Sequence, residues 1–475
     1  MAHRPPRTAF EDDAGWQRAH GRGRDVRARV PRRMHGVWDT RGVGDRDPVD
    51  ILDKQAATRV RELVPIRYGR MLRSAFAFYR GAAAVMADDL ASAPSTGLTV
   101  QLCGDAHLAN FGGFAAPDRD IVFDINDFDE TLPGPFEWDV KRLVASFAVA
   151  ARDRGFPPSA EADLARSASR SYRTSIAEFA RTPRLDVWYA RLDADELERR
   201  WGGAAGADTL KRFHKSLRKA RRKTGARAFS RYTEVGPDGR LQPLSDPPLV
   251  VPLEDLLTEQ SLDEARETIG AAYDRYLDTL SDDRRYLLSG YRVAGMARKV
   301  VGVGSVGTRC WILLLVGAED AADDLVLQVK EAGASVLEPY LGASRYDDHG
   351  RRVVEGQRLI QAASDVLLGW NRATNVAGET HDFYVRQMWD GKVSADLEGM
   401  DRDAFEVYAE ICGWTLARAH ARSGDAPAVA GYLGTGDRFD RSMAEFATAY
   451  ADQNEADFRL LQRAETTGRI VAADG

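Results

Sequence analysis

Asp105, His107 and Asn110 stand together in C-G-D-A-H-L-A-N-F-G, and Asp124, Asp127 and Asp129 follow in F-D-I-N-D-F-D-E-T. A carboxylate, an amide five residues on and a further carboxylate cluster form the set that metal-assisted transfer of a phosphoryl group to a hydroxyl requires. Mg²⁺ is a hard cation that takes oxygen ligands, so Asn110, Asp127 and Asp129 suit it better than histidine or cysteine would. An attacking hydroxyl must lose its proton, and Asp105 supplies an acceptor. His107 is positioned either to orient this loop or to touch a phosphate. Singly, each residue is equally well explained by the turn hydrogen bonds that Asp and Asn commonly make. The spacing of the whole set is what favours chemistry.

The elements that must hold this set are two short apolar runs, Thr99–Leu102 and Ile121–Ile125, each ending in polar residues as strands do. The loop between them, G-D-A-H-L-A-N, resembles the H-G-D-x-H-x-x-N catalytic loop of aminoglycoside and choline phosphotransferases, relatives of the protein kinases. N-D-F-D is similar to their metal-binding motif. The resemblance implies that Asp105 is the catalytic base, Asn110 a metal ligand and Asp127 the principal one, with Asp129 or Asp124 in reach of a second contact. Gly134 to Val140, with Asp139 near the head of a helix, resembles the G-x-P-x-x-D-L that braces such a loop from behind. Pro135 sits one place early there, Val140 replaces the leucine, and Cys103 stands where the relatives carry the first histidine. The wider wording LVPIRYGRM, FYRGAA, CGDAHLANFG, FDINDFDET and GPFEWDVKRL is similar to a bacterial family catalogued as domain of unknown function 2252, a name that carries no activity.

A second constellation lies some two hundred residues later. Arg298–Val303 and Thr308–Val316 read as strands joined by V-G-V-G-S-V-G-T, so Gly302, Gly304 and Gly307 give G-x-G-x-x-G. That pattern alone is weak, but here it leads into a strand, whereas the dinucleotide fingerprint leads into a helix. A glycine hairpin of this kind covers phosphates in kinases. A third strand, Leu325–Val329, puts Lys330 at its end, where the kinase resemblance implies a grip on the α- and β-phosphates. A helix from Val353 to Ala363 then offers Glu355 as the ion-pair partner of Lys330, with Gln357 as a second candidate. Residues 383–398 fall where kinases keep the hinge, which implies that backbone groups around Gln387, Met388 and Trp389 meet adenine.

The chain has 475 residues with a formal net charge of -6, 44% hydrophobic and 29% charged. This length allows two or more lobes, and the mild acidity argues against a general nucleic-acid binder. The longest apolar run, Cys310–Val316, is far short of the roughly 20 residues a membrane span needs. Three scattered cysteines match no zinc spacing and fit a reduced, cytoplasmic setting. Residues 1–45, rich in Arg, Gly and Asp, read as a mobile or loosely docked arm. Residues 48–90 turn helical, and Arg67, Arg70 or Arg80 could reach a phosphate. The basic run KRFHKSLRKARRKTGARAFSR at 211–231 reads first as a solvated helix face and second as a docking surface for an acidic substrate.

The expected fold is therefore α+β, a protein-kinase-like pair of lobes whose parts are circularly permuted, because the catalytic loop precedes the glycine hairpin. Residues 46–290 would form a mostly helical large lobe and 291–400 a small antiparallel-sheet nucleotide lobe, with 401–475 as helices packing on the large lobe. Two helices, Arg70–Leu90 and Ala404–Arg422, compete for the seat before the catalytic loop. The function expected is ATP- and Mg²⁺-dependent transfer of phosphate to a hydroxyl-bearing small molecule. Transfer of AMP to a protein hydroxyl, a nucleotide-binding regulatory module without turnover, and metal-dependent hydrolysis are the competing readings.

Overall fold

The run C-W-I-L-L-L-V is apolar almost throughout, so the strand it forms must be covered on both faces. In the computed structural model, Cys310–Val316 is an inner strand of a six-stranded sheet. The structure describes residues 13–38, 46–203, 215, 218, 225–235, 241–300, 302–317, 323–374, 378–388 and 391–474. The sheet runs in the order Gly369–Thr374, Thr380–Gln387, Leu325–Ala332, Cys310–Val316, Arg292–Lys299, Val250–Pro252, and every neighbouring pair is antiparallel. Successive side chains of a strand point to opposite faces. Ile312 and Leu314 accordingly pack with Phe229 and Tyr232 on one face, and Leu313 and Leu315 with Tyr276, Leu280 and Leu288 on the other.

These contacts move the lobe boundary expected at residue 290. Gly225–Tyr232, Val250–Pro252, Glu259–Leu277 and Asp282–Leu288 all belong to the layers of the sheet. The reason is apolar demand: a sheet buried on both faces needs covering helices, and the chain supplies them before the strands. Most of the basic run at 211–231 lies outside the described residues.

The second lobe is helical. Phe136–Asp153, Ser159–Phe179, Arg402–Ser423 and Arg438–Thr466 enclose one apolar core that includes Val144, Phe147, Tyr172, Phe405 and Phe446. The predicted strands form as expected, Thr99–Leu102 pairing with Leu132–Pro135 and Ile121–Ile125 with Phe111–Ala115. Residues 70–90, expected as one helix, are divided among Val64–Met71, Ala75–Gly81 and Ala83–Ala91.

The N-terminal segment is not a loose arm where it is described. Asp13–Arg29 is a helix lying against Ala426–Leu433. Glycines make the approach possible: a Cβ on Gly23 would come within 1.9 Å of the Ala428 carbonyl oxygen, and one on Gly431 within 2.1 Å of that of His20. The Trp16 indole donates to the Ala180 carbonyl at 2.8 Å, and His35 meets the Tyr432 hydroxyl at 2.7 Å. A composition poor in large apolar residues thus docks through close backbone contact and polar anchors. Among the described residues no helix is long and apolar enough to cross a membrane.

Candidate active site

The loop after Thr99–Leu102 is held from behind by one carboxylate. Asp139, in the first turn of Phe136–Asp153, accepts hydrogen bonds from the Cys103 N–H at 2.8 Å and the Gly104 N–H at 3.1 Å. His420 reaches the same carboxylate at 3.2 Å, and the Tyr172 hydroxyl meets the other nitrogen of His420 at 2.9 Å. Gly104 adopts φ 87°, and its Cα lies so close to the Glu130 carbonyl that no side chain fits. The chain therefore turns sharply into Asp105. The Gln101 N–H donates to the Ser423 hydroxyl at 3.1 Å, so the end of Arg402–Ser423 sits beside the strand that leads into this loop. Of the two competing helices, this one holds that seat.

Asp105 receives Arg142 Nε at 2.8 Å, and the Arg142 guanidinium stacks over the Tyr79 ring at 3.9 Å. Burial nevertheless pushes the Asp105 carboxyl up to about 6, with Arg142 opposing and Asp127 adding to the shift. Its side chain keeps 18% of its surface open. A carboxyl so poised is a capable proton acceptor near neutral pH. His107 is buried, and burial followed by Arg142 and Arg80 drives its pKa far down, so the ring is neutral. Its Nε2 lies 3.7 Å from Asp105, which fits a role in orienting the loop. Asn110 Nδ2 donates to the Asp105 carbonyl at 2.9 Å. Because that partner is an acceptor, the other end of the Asn110 amide is its oxygen, the end a hard cation takes.

The acidic run is divided by function. Asp127 lines a cleft of about 950 Å³ between the sheet and the helical lobe. Asp129 is committed elsewhere: its carboxylate pairs with Lys330 and accepts from the Tyr384 hydroxyl at 2.8 Å and the Ser305 hydroxyl at 3.3 Å. Asp129 thus stands as the counter-ion of Lys330, and it is Asp127 that lines the cleft. Asp124 is locked by Arg418 at 2.5 Å and by the Ala362 N–H at 3.1 Å, deep in the core. Among the described residues, no three His, Cys, Asp or Glu side chains gather as a metal cluster.

Lys330 lines the same cleft as Asp127. Burial disfavours its charge, but Asp129 outweighs this and holds the lysine protonated. The partner expected for it, Glu355, instead lies 3.7 Å from Arg358 on its own helix, His349–Ile360. The correction follows from helical phase. Residues two apart on a helix lie on opposite sides, so Gln357 faces the cleft and Glu355 does not. Arg352 of the same helix donates to the backbone carbonyls of Asp129 and Thr131 at 2.7 and 2.8 Å, which fixes the acidic segment against the lysine strand.

The glycine connection is seated on the other lobe. Arg70 donates to the Gly302 carbonyl at 2.5 Å, the Val60 N–H to the Gly307 carbonyl at 2.8 Å, and Val306 is fully buried. Gly302 and Ser305 line the cleft. Gly307 abuts Arg59 and Gly304 approaches the Arg80 carbonyl, so neither opens on the cleft. The adenine contacts need a similar correction. Gln387 and Met388 line the cleft, but the Gln387 N–H donates to Asp365 and the Met388 N–H to the Val326 carbonyl at 2.9 Å. Those two donors are spent, and Trp389 lies outside the described residues.

Sequence reasoning missed Arg386 and Tyr384. Both share the cleft-side face of Thr380–Gln387, while Phe383 and Val385 turn to the other face. Arg386 donates to Gln328 Oε1 at 3.0 Å and to the Asn126 carbonyl at 3.3 Å, placing its charge beside Asp127. The alternation F-Y-V-R was the signal that could have found them. With Arg231, Lys299, Lys330 and Lys392, Arg386 makes the cleft cationic, while Asp127, Asp323, Asp324 and Asp365 are the carboxylates of its lining.

No curated protein and no solved structure matches the chain. A family model described as an uncharacterized protein conserved in bacteria matches residues 59–464. That match takes in the braced loop, the acidic run, the glycine connection, Lys330 and His420, and the chain belongs to this bacterial family, DUF2252.

Proposed function

We propose that this chain is an ATP- and Mg²⁺-dependent phosphotransferase acting on a hydroxyl of a small molecule, with its two lobes forming a circularly permuted, kinase-like fold. The observation that carries this reading is that Asp127 and Lys330, far apart in sequence, line one cationic cleft, and that Asp105 of the braced loop lies near enough to Asp127 to feel its charge. The order in space supports the permutation. Glycine connection, lysine strand, helix His349–Ile360, a further strand pair and helix Arg402–Ser423 come in turn, and the Ser423–Gln101 hydrogen bond then leads into the catalytic strand.

The residues fit the groups this chemistry needs. The Asn110 oxygen and Asp127 would hold Mg²⁺, with the rest of its coordination left to phosphates and water, as is usual for this ion. The cation supplies neutralisation of phosphate charge. Lys330, Arg386 and Lys299 set positive charge along the cleft for the phosphates. Asp105 accepts the proton of the acceptor hydroxyl, and Arg142 fixes its orientation. Because the Gln387 and Met388 N–H groups are already bonded, recognition of the base would rest on other groups of the cleft.

Thermal unfolding with ATP and Mg²⁺, for the wild type and for Asp127→Asn and Lys330→Ala, tests this. Ligand at about 100 times its dissociation constant adds about 2.7 kcal/mol to a folded state that alone binds it. The expected outcome is a stabilisation that shrinks in both variants, each compared with its own ligand-free baseline. No stabilisation by any nucleotide would overturn the reading.

A further inference from the structure

Arg67, Arg70 and Arg80 are each close enough in sequence to the catalytic loop to serve a phosphate, and their surroundings separate them. Arg67 is fully buried, its Nη2 donating to Gln55 Oε1 at 2.5 Å and to the Gly81 carbonyl at 3.2 Å. Arg70 donates to the Gly302 carbonyl. Arg80, in the last turn of Ala75–Gly81, is engaged in neither way. Its Nε is buried without a partner. Its terminal nitrogens, also unbonded among the described residues, keep open surface on a half-buried side chain. An arginine does not shed its proton in a protein, and a charge drawn out of water without a counter-ion is costly.

The backbone fixes where that charge lies. The carbonyl of the preceding residue, Tyr79, accepts from Arg142 Nη2 at 2.7 Å, and the Tyr79 hydroxyl donates to the Arg142 carbonyl at 2.7 Å. Arg142 is the side chain that holds Asp105. On its other side, the Arg80 carbonyl faces the glycine connection, 3.4 Å from where a Cβ on Gly304 would stand. Arg80 thus sits between the loop that carries the proton acceptor and the turn that would cover phosphates. Its guanidinium is near enough to Asp105 and Asp127 to feel both charges, yet it pairs with neither. A residue placed only to neutralise those carboxylates would bond one of them directly. A planar fork with both terminal nitrogens unspent matches instead two oxygens of a phosphoryl group.

We propose that Arg80 is a catalytic residue that binds the γ-phosphoryl group of the nucleotide and holds it through transfer. The assignment rests on the phosphotransferase reading and adds to it the side chain that meets the transferred group itself. In that step the acceptor oxygen forms a bond to the γ-phosphorus as the bond to the β,γ-bridging oxygen breaks. The hydroxyl proton passes to Asp105, and the electron pair of the broken bond leaves with ADP. The equatorial oxygens of the moving group carry negative charge throughout, and Arg80 donates to two of them.

Calorimetric titration of the whole chain with Mg²⁺ and either ADP or the β,γ-imido analogue of ATP tests it, because the two probes differ by the γ-phosphoryl group. The wild type should bind the triphosphate analogue more tightly than ADP. Arg80→Met should weaken the analogue at least about tenfold, as loss of a charge-assisted hydrogen bond does, while ADP stays within about twofold of its wild-type affinity. Arg80→Lys, which keeps the charge, should retain part of the preference. Should Arg80→Met fail to fold, Arg80→Gln removes the charge at similar length and should show the same selective loss. Equal binding of both probes to the wild type, an undiminished preference in the variants, or a parallel loss of both probes would overturn this assignment and leave the nucleotide site standing. A wild type that binds neither probe would overturn the phosphotransferase reading and this assignment with it.

Discussion

Asp105 is half-buried beside an arginine and is nonetheless pushed up to about 6, because loss of hydration outweighs the Arg142 pair. A carboxyl whose folded pKa exceeds its unfolded value binds extra protons in the folded state between about pH 4 and 6. Its contribution to stability is therefore greatest below that window and is lost as pH rises through about 6. Urea unfolding of the wild type and Asp105→Asn at pH 4.5 and pH 7 should show their difference in stability change by about 2 kcal/mol, the wild type gaining on acidification. Asp89 and Glu130 are also pushed up, to about 6 and about 7, and both remain in each protein; Asp89 cancels in the comparison, and Glu130 does so apart from the small part of its shift that comes from Asp105. A difference that does not vary with pH would show that Asp105 titrates normally. At this scale the sequence was informative where spacing is local. Asp105, Asn110 and the brace Asp139 lie within one loop and one helix turn, so their types and intervals carried the geometry. The partner of Lys330 could not be read that way. Whether Asp129 or Glu355 meets it depends on how a strand and a helix from another lobe cross, and no local interval encodes that.

Elements were legible in proportion to their periodicity. Thr99–Leu102, Ile121–Ile125 and the long helix beginning at Phe136 announce themselves by apolar pattern. The helix Asp13–Arg29 does not, because its surface toward the protein is made of small residues and backbone, and composition alone reads such a segment as unfolded. Close packing makes a specific demand at Gly23, where any Cβ collides with the backbone of Ala426–Leu433. Gly23→Leu should therefore destabilise the protein by about 1–3 kcal/mol, the range for overpacking a close contact, and expose residues 13–38 to protease. Arg29→Ala, a change on an exposed position of the same helix, should leave both properties nearly unchanged. Equal protease sensitivity of the two variants would mean that this helix does not rest on the Gly23 contact. The covering helix Glu259–Leu277 shows the complementary limit: its amphipathic pattern predicts a helix, while the sheet it covers is decided by which apolar surface lacks a layer.

At the scale of the whole molecule, the lobes meet through a few polar ties around the cleft. Lys330 from the sheet pairs with Asp129 from the acidic run, Arg352 holds the carbonyls of that run, and the glycine connection rests on Arg70 and Val60. The lysine proposed to steady phosphates is thus also a joint between lobes, and the two duties are separable by energetics. Removing one member of a buried ion pair strands the other, at a cost of about 3–5 kcal/mol. Asp129 keeps 23% of its side-chain surface open, which puts the expected loss near the lower figure, about 3 kcal/mol. Lys330→Met and Asp129→Asn should each lower ligand-free stability, Asp129→Asn the more because it strands the more deeply buried charge, whereas Asp129 without Lys330 keeps the Tyr384 and Ser305 hydroxyls. The double variant should lose clearly less than the sum, with a coupling of at least about 1 kcal/mol, because it removes both charges together. Additivity within about 0.5 kcal/mol would instead assign the joint to Arg352 and the glycine connection. The outcome also determines how nucleotide binding must be read in Lys330 variants. If the coupling is large, a ligand that draws Lys330 toward its phosphates competes with Asp129 for the same charge, so binding and lobe closure are linked through this one side chain.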